Sequence, residues 1–578
     1  MYTIAGALRR PGMAVTLSNC VDDRELRISF AGRLDDRNDL VAQLSLSWQA
    51  SNAELIAAAY RRWDAAFLEH IDGAFVLALF DERKQRLLLA RDRFGLHPLY
   101  VHTTPVAITW SSHVKAIADE TGCDRTPDPQ FVAGFLTFGR RGDVSPFAAI
   151  ASVPPAGMFL ADRDGESMRT YWQLDPEREI RLRSDAEYEE QFFTLFQRSV
   201  SNRLPADGIT FCELSGGVDS SSIFAIADGI HRAQQRPHDS LRSISHIYDE
   251  SGSGDDRPYI GIMEKAFGRP AHHAEERLTP LFAAVAGEYP FDEPTPFSAG
   301  TEFYAAIDAH MAANGGNVVL CGTGGDDLTW SEIDNPPGIA DDLSRFRVLR
   351  ALRDSGRWAA ALEKPRSSIL VDAIRAMRNP LPRTVPPWID GRFARATGIG
   401  DLDGETRAIR LPSRRAQFLG LRCLAVQVGF RQHVEPDIDI RYPFLDRQLI
   451  EFVFGIPIDQ HLRPGETRSL QRRAMSRVLP PEIAQRRTKG GPGGTIYRRF
   501  RQQWPAIKTL FAKPRVVEFG YVDGAVLGDA LQRAAHGFNY SAPGLLRLLA
   551  LESWLRALER PSIAADPRDA MRAIDERR

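Results

Sequence analysis

The sequence predicts a two-domain α/β protein: a layered first domain with antiparallel sheets, then a doubly wound parallel sheet with helical insertions. Three observations carry this prediction. The chain has 578 residues, more than one hydrophobic core fills. Short apolar or alternating runs, broken by Gly, Asp and Pro, crowd roughly the first 180 residues. Beyond them, β-like runs alternate with helical ones, the pattern of a parallel sheet.

In the first domain, residues 1–180, the strand candidates are RELRISF, GAFVLALFDE, QRLLLARD and AITWSS. Between the first two of these, SNAELIAAAYRRWDAAFLEHI reads as helix. Residues 162–185 turn polar and charged, which marks a domain boundary. The second domain, 181–578, opens on Ser184-Asp185-Ala186-Glu187, a capping-box pattern. Tyr188, Phe192, Leu195, Phe196 and Val200 follow at helical spacing. Then come GITFCEL, SSIFAIADGIHRA, RSISHIY, a helix near Tyr259–Phe267, and NVVLCG. Residues 330–400 are rich in Pro and Arg and read as helical hairpins.

Composition excludes several classes. With 43% apolar and 26% charged residues and a net charge of −2, nothing global favours nucleic acid or an anionic membrane. No apolar run approaches the roughly 20 residues that span a bilayer. The first residues lack a long apolar stretch, so no signal peptide is expected, and a cytoplasmic location follows. Cys20, Cys123, Cys212, Cys321 and Cys423 are scattered without a CxxC pair, which argues against zinc and a disulfide framework.

Chemistry concentrates in two loops. Ser215-Gly216-Gly217-Val218-Asp219-Ser220-Ser221-Ser222 follows a strand and leads into a helix. Such a turn exposes backbone N–H groups where the helix dipole also favours an anion. Its glycines admit a phosphate closely, and Ser215, Ser220 and Ser221 add hydroxyls. Asp219 would repel phosphate unless a divalent cation lay between them, so it reads as a magnesium ligand. No Lys follows the glycines, which excludes the GxxxxGK[ST] loop. Cys321-Gly322-Thr323-Gly324-Gly325-Asp326-Asp327 also follows an apolar strand. Loops at the carboxyl ends of parallel strands gather on one edge, so Asp326 is expected opposite Asp219. Two further segments are Arg441-Tyr442-Pro443-Phe444-Leu445-Asp446 and the Gly-rich QRRTKGGPGG, whose Lys489 is suited to act as a mobile cation.

Taken in order, these segments resemble the class B asparagine synthetase superfamily over about residues 25–500. Asp72-Gly73-Ala74-Phe75 and Ala90-Arg91-Asp92-Arg93-Phe94-Gly95-Leu96-His97-Pro98-Leu99-Tyr100 are similar to its glutaminase half. The resemblance implies an Ntn-hydrolase-like αββα sandwich followed by an ATP pyrophosphatase-type synthetase domain. It implies ATP and Mg2+ as cofactors, with ATP held by Leu214, Ser215, Gly216, Gly217, Asp219, Ser220, Ser221 and Gly322. Metal would be held by Asp219 and Asp326, and catalysis carried by Lys489 with Asp439 accepting the amine proton. The glutaminase half departs from the family. Tyr2 stands at the family's nucleophilic Cys, Ala31-Gly32-Arg33 at its Asn-Gly-Glu, and Asn52 at the Asp that grips glutamine. A phenol does not replace a thiolate, so a degenerate glutaminase is expected, with the amine supplied by the substrate.

Relatives that dispense with glutamine close rings. The length, the RYPFLDRQLIEF form of the third motif and the segment Pro386–Phe393 in a helical insertion resemble the lasso-peptide macrolactam synthetases. That resemblance implies a ribosomal core peptide as substrate and a leader peptidase as partner, with no nucleic acid and no membrane. Two alternatives stand beside it: a β-lactam- or asparagine-synthetase-like enzyme on a small substrate, and a non-catalytic ATP-binding scaffold.

Overall fold

A computed structural model describes residues 3–9, 14–137, 144–247, 255–275, 289, 291–296, 301–331, 337–378, 385–399, 404–434, 437–487, 493–538 and 542–559. The first domain holds two antiparallel sheets. One contains six strands, with Gly73–Asp81 and Arg86–Arg91 at its centre; the other contains five, including Ala5–Arg9 and Ala107–Ser111. Period-2 alternation explains the layering. Leu77, Leu79 and Leu88 face a core shared with the helix Asn52–Trp63, whereas Val76, Ala78, Leu87 and Leu89 face the second sheet across Leu8, Ile108 and Trp110. The helices Val114–Thr121 and Pro129–Thr137 cover the far side. The result is the αββα sandwich. Ser51 starts its helix with a complete capping box: Glu54 N donates to Ser51 Oγ, and Ser51 N donates to Glu54 Oε2.

At Ser184 the box is only half made. Ser184 Oγ accepts from Glu187 N, but the Glu187 carboxylate turns to Arg183 N instead. The helix Asp185–Arg203 still begins where its cap predicts. The second domain is built on five parallel strands in the order Ala271–Glu275, Leu241–Ile247, Thr210–Glu213, Val318–Leu320, Asp439–Arg441. The chain winds outward from Thr210 in one direction, then returns to the other side. The order therefore reverses between the Thr210 and Val318 strands, where ligands of such sheets bind.

Two features of the packing go beyond the helical hairpins expected over 330–400. Residues 337–378 form three helices, Pro337–Ser344, Val348–Leu362 and Arg366–Arg378, around a small core of their own with Trp358 and Ile369. The first domain's Phe131 and Phe147 pack on Trp554 of the last described helix, Ala542–Glu559, in one apolar core with Trp388, Phe500 and Leu548. The two halves of the chain thus share a core.

Candidate functional site

The first loop is fixed before any ligand arrives. Leu214 N donates to Ile244 O at 2.8 Å, and the Leu214 carbonyl accepts from Ser245 Oγ at 2.7 Å. Ser215 N donates to Ser220 Oγ at 3.1 Å, and the Ser215 and Ser220 hydroxyls lie 3.0 Å apart. Gly216 has φ +66°, and a Cβ there would sit 2.4 Å from Tyr259 Cβ, so glycine is required. The helix Val218–Ala233 starts here with no side-chain cap, leaving its first N–H groups and dipole for an anion. Ser221 Oγ is buried without a hydrogen-bond partner.

The second loop meets it directly. A Cβ on Gly322 would lie 3.2 Å from Ser220 N, and one on Gly325 would lie 2.5 Å from Asp219 Cγ. These close approaches bring Asp219 and Asp326 to one place, where a single guanidinium, that of Arg468, pairs with both. Its Nη2 is 3.0 Å from Asp219 Oδ2 and also pairs with Asp326 Oδ1. Sequence reasoning missed Arg468. It sits outside every motif, and only its left-handed backbone (φ +52°) marks the position as unusual.

The third motif is a buttress. Phe444 is fully buried, its ring 4.8 Å from that of Phe196, and its Cβ lies 3.2 Å from the place a Cβ on Gly324 would take. Asp446 caps the next helix by accepting from Leu449 N. Arg486 braces the first loop from the other side. It donates to Ser215 O at 3.1 Å, pairs with Asp256 and stacks 3.8 Å over the Tyr259 ring. Lys489 lies outside the described residues.

Asp439 is not brought to this edge. It opens its strand opposite Val318, two residues short of the carboxyl end that carries the loops. Its carboxylate is held by Arg441 at 2.6 Å and by Arg33 of the first domain at 3.5 Å. A carboxylate gripped by two guanidiniums is a poor proton acceptor, because protonation would surrender both pairs. Asp439 instead belongs to an ion-pair network between the domains that includes Asp35, 3.0 Å from Arg203 and 2.5 Å from Arg33. Burial would raise the Asp35 carboxyl, but Arg203 and Arg33 outweigh it and hold it low.

Beneath the two loops lies a second unpredicted group. Glu213 ends the first strand, Cys321 begins the second loop, and Arg431 joins them: Nη2 to Glu213 Oε1 at 2.5 Å and Nη1 to Cys321 Sγ at 3.2 Å. Burial pushes the Glu213 carboxyl up, yet the Arg431 guanidinium and His246 hold it down at about 2, and burial raises the Cys321 thiol to about 12. A carboxyl depressed below its ordinary 4.5 contributes stability above that pH and loses it as pH falls toward 2. Arg431→Met should therefore cost about 3–5 kcal/mol near neutrality, because it strands a buried charge. The deficit should shrink as pH falls, because Glu213 of the variant, left with burial and without Arg431, protonates above 4.5, while the unmodified protein loses its ion-pair contribution between 4.5 and about 2. Urea unfolding of both proteins from pH 7 to pH 3 tests this; a pH-independent deficit would refute the ion-pair account.

An anion cradle and two facing carboxylates at the switch point of a doubly wound sheet, behind an αββα domain, suit a metal-bound polyphosphate, and with the family match they place the chain among the ATP-dependent carbon–nitrogen ligases. The chain belongs to the asparagine synthase family. The Asparagine synthase profile matches residues 191–556 and the Glutamine amidotransferase domain profile residues 20–172. Asparagine synthetase [glutamine-hydrolyzing] 3 of Bacillus subtilis is 23% identical over 576 residues, covering 92% of this chain and 87% of that protein. Amidase chry2 of Gibberella zeae is 23% identical over 87% of this chain and 82% of its own length. Amidase chyE of Penicillium rubens is 23% identical over 89% and 83%.

Proposed function

We propose that this enzyme is a macrolactam synthetase: it adenylates an Asp or Glu side chain of a ribosomal core peptide, and the peptide's N-terminal amine then closes the ring. AMP and pyrophosphate leave, and a leader peptidase supplies the free amine. The observation that carries the reading is the state of the first domain. At the family's Asn-Gly-Glu position, Ala31 offers no amide, and Arg33 is spent on Asp35 and Asp439. Asn52 heads a helix and accepts from Arg37 Nη1 at 2.7 Å. Without a glutamine site the amine must come from elsewhere, and in this reading it comes with the substrate.

In this reading the first-loop N–H groups and the hydroxyls of Ser215, Ser220 and Ser221 hold pyrophosphate, and Lys489 faces the charge that develops during adenylation. Asp219 and Asp326 suit magnesium. Asp219 Oδ1 is buried without a hydrogen-bond partner, and magnesium typically takes one or two carboxylates with phosphate oxygens and water completing its shell. An ion held by Asp219 and Asp326 would supply charge neutralisation to the leaving pyrophosphate. Asp439, held by Arg441 and Arg33 away from the loop edge, is poorly placed to accept the amine proton.

The relatives named as asparagine synthetases favour a second reading, an amide-forming enzyme on a small substrate. Trp388 is buried, its carbonyl accepts from Asp523 N, and Asp390 N donates to Tyr521 O, so Pro386–Phe393 packs on the C-terminal core. Mass spectrometry of a candidate core peptide incubated with ATP and the peptidase separates the two. Loss of one water on the peptide supports ring closure; asparagine formed from ATP, aspartate and ammonia supports the small substrate. In either case glutamine should yield no glutamate, and Tyr2→Cys alone should not revive hydrolysis. Glutamate release by the unmodified enzyme would restore the first domain as an ammonia source.

A further inference from the structure

Of the twelve large apolar side chains exposed among the described residues, six fall between 346 and 374: Phe346, Val348, Leu349, Leu352, Val371 and Ile374. All lie on the three-helix module 337–378. A scatter of single exposed apolar residues needs no explanation, but a cluster does. The module buries Ala351 and Trp358 on one side of its second helix and Ile369 and Ala373 of its third. Leu349 and Leu352 lie on the other side of the second helix, which is amphipathic with both faces partly apolar.

Phe346 adds an independent signal. It occupies the turn between the first two helices with φ +59°, and it is 91% exposed; Leu349, three residues on, is 85% exposed. A bulky side chain in left-handed backbone is costly and rare. Here the strain holds an aromatic ring in water, where folding gains nothing from it. Strain of this kind collects where a residue is presented to a ligand.

Charge narrows the ligand. Residues 345–378 hold nine Arg and Lys against three Asp and Glu, in a chain whose net charge is −2. Arg353, Arg357 and Arg375 have side chains more than 60% exposed. An anionic membrane would also attract such a face, but the acids argue against it. Asp354 and Asp372 sit among the arginines and pair with Arg353 and Arg375, and would face lipid phosphate. Trp358, the residue best suited to the interface, is 7% exposed and turned into the module.

We propose that this face docks an acidic, apolar segment of a second protein, with Phe346 and Leu349 as anchors and the arginines as rim. The proposal does not depend on which substrate the ligase uses. The test is fluorescence anisotropy of the whole protein with a labelled amphipathic peptide of Glu and Leu. Phe346→Ser with Leu349→Ser should weaken binding about tenfold or more, as anchor losses do. Arg353→Glu with Arg357→Glu should weaken it and shift preference to a Lys and Leu peptide. Neither pair touches the ligase site, so pyrophosphate release should be unchanged, which also reports folding. Phe519→Ser with Phe538→Ser, exposed elsewhere, should leave binding intact. The proposal is overturned if the peptide does not bind or if the control pair weakens it equally. It is also overturned if phosphatidylglycerol vesicles bind through Phe346 in preference to the peptide, or if sedimentation shows that Phe346 and Leu349 seal a dimer of this chain.

Discussion

Asp219→Ala and Asp326→Ala should each abolish ATP-dependent pyrophosphate release, by about three orders of magnitude or more. The two carboxylates come from loops 107 positions apart in sequence and are brought together only because Gly322 and Gly325 let the loops touch. Losing either leaves a metal–pyrophosphate complex short of an anionic ligand, and metal catalysis contributes several kcal/mol. Each variant also leaves Arg468 with one partner in place of two. That effect is separable. Arg468→Ala should leave the carboxylates to repel each other without metal, so its thermal melting should become more sensitive to added Mg2+ than that of the unmodified protein. Release of pyrophosphate at a near-normal rate by either Asp variant would remove that residue from the metal site.

Lys489→Ala should lower turnover by two orders of magnitude or more while moving the apparent ATP affinity far less. An interaction made with charge that develops only in the transition state appears in turnover and not in ground-state binding. Lys489→Arg should rescue only in part, since a planar fork fits a point-charge site poorly. A strong rise in the ATP Michaelis constant with intact turnover would make the lysine a nucleotide anchor. The search for a catalytic cation would then turn to Arg487, because Arg486 is already engaged by Ser215, Asp256 and Tyr259.

What the sequence disclosed was what is local. A Gly/Ser string between an apolar strand and a helical run suits an anion cradle, and the structure places both loops on the predicted edge. What it hid was assembled across the chain. Arg468 reaches Asp326 over 142 positions, and Arg33 reaches Asp439 over 406; neither arginine carries a local signature. Asp439 shows the limit of reading by motif. Its neighbours matched a pattern, but its role follows from register on the strand and from partners in another domain. The buried Trp388 makes the same point, since an aromatic among prolines looks like a surface until the elements that cover it are known.

The apolar core common to Phe131, Phe147 and Trp554 bears on whether either half of the chain can be removed. Here an in-frame deletion of the first 180 residues would take away the helix Pro129–Thr137 and lay bare the tryptophan and leucines of Ala542–Glu559. Large apolar surface uncovered in this way invites aggregation. The amidotransferase-like unit therefore serves its neighbour as a folding partner, whatever its own chemistry.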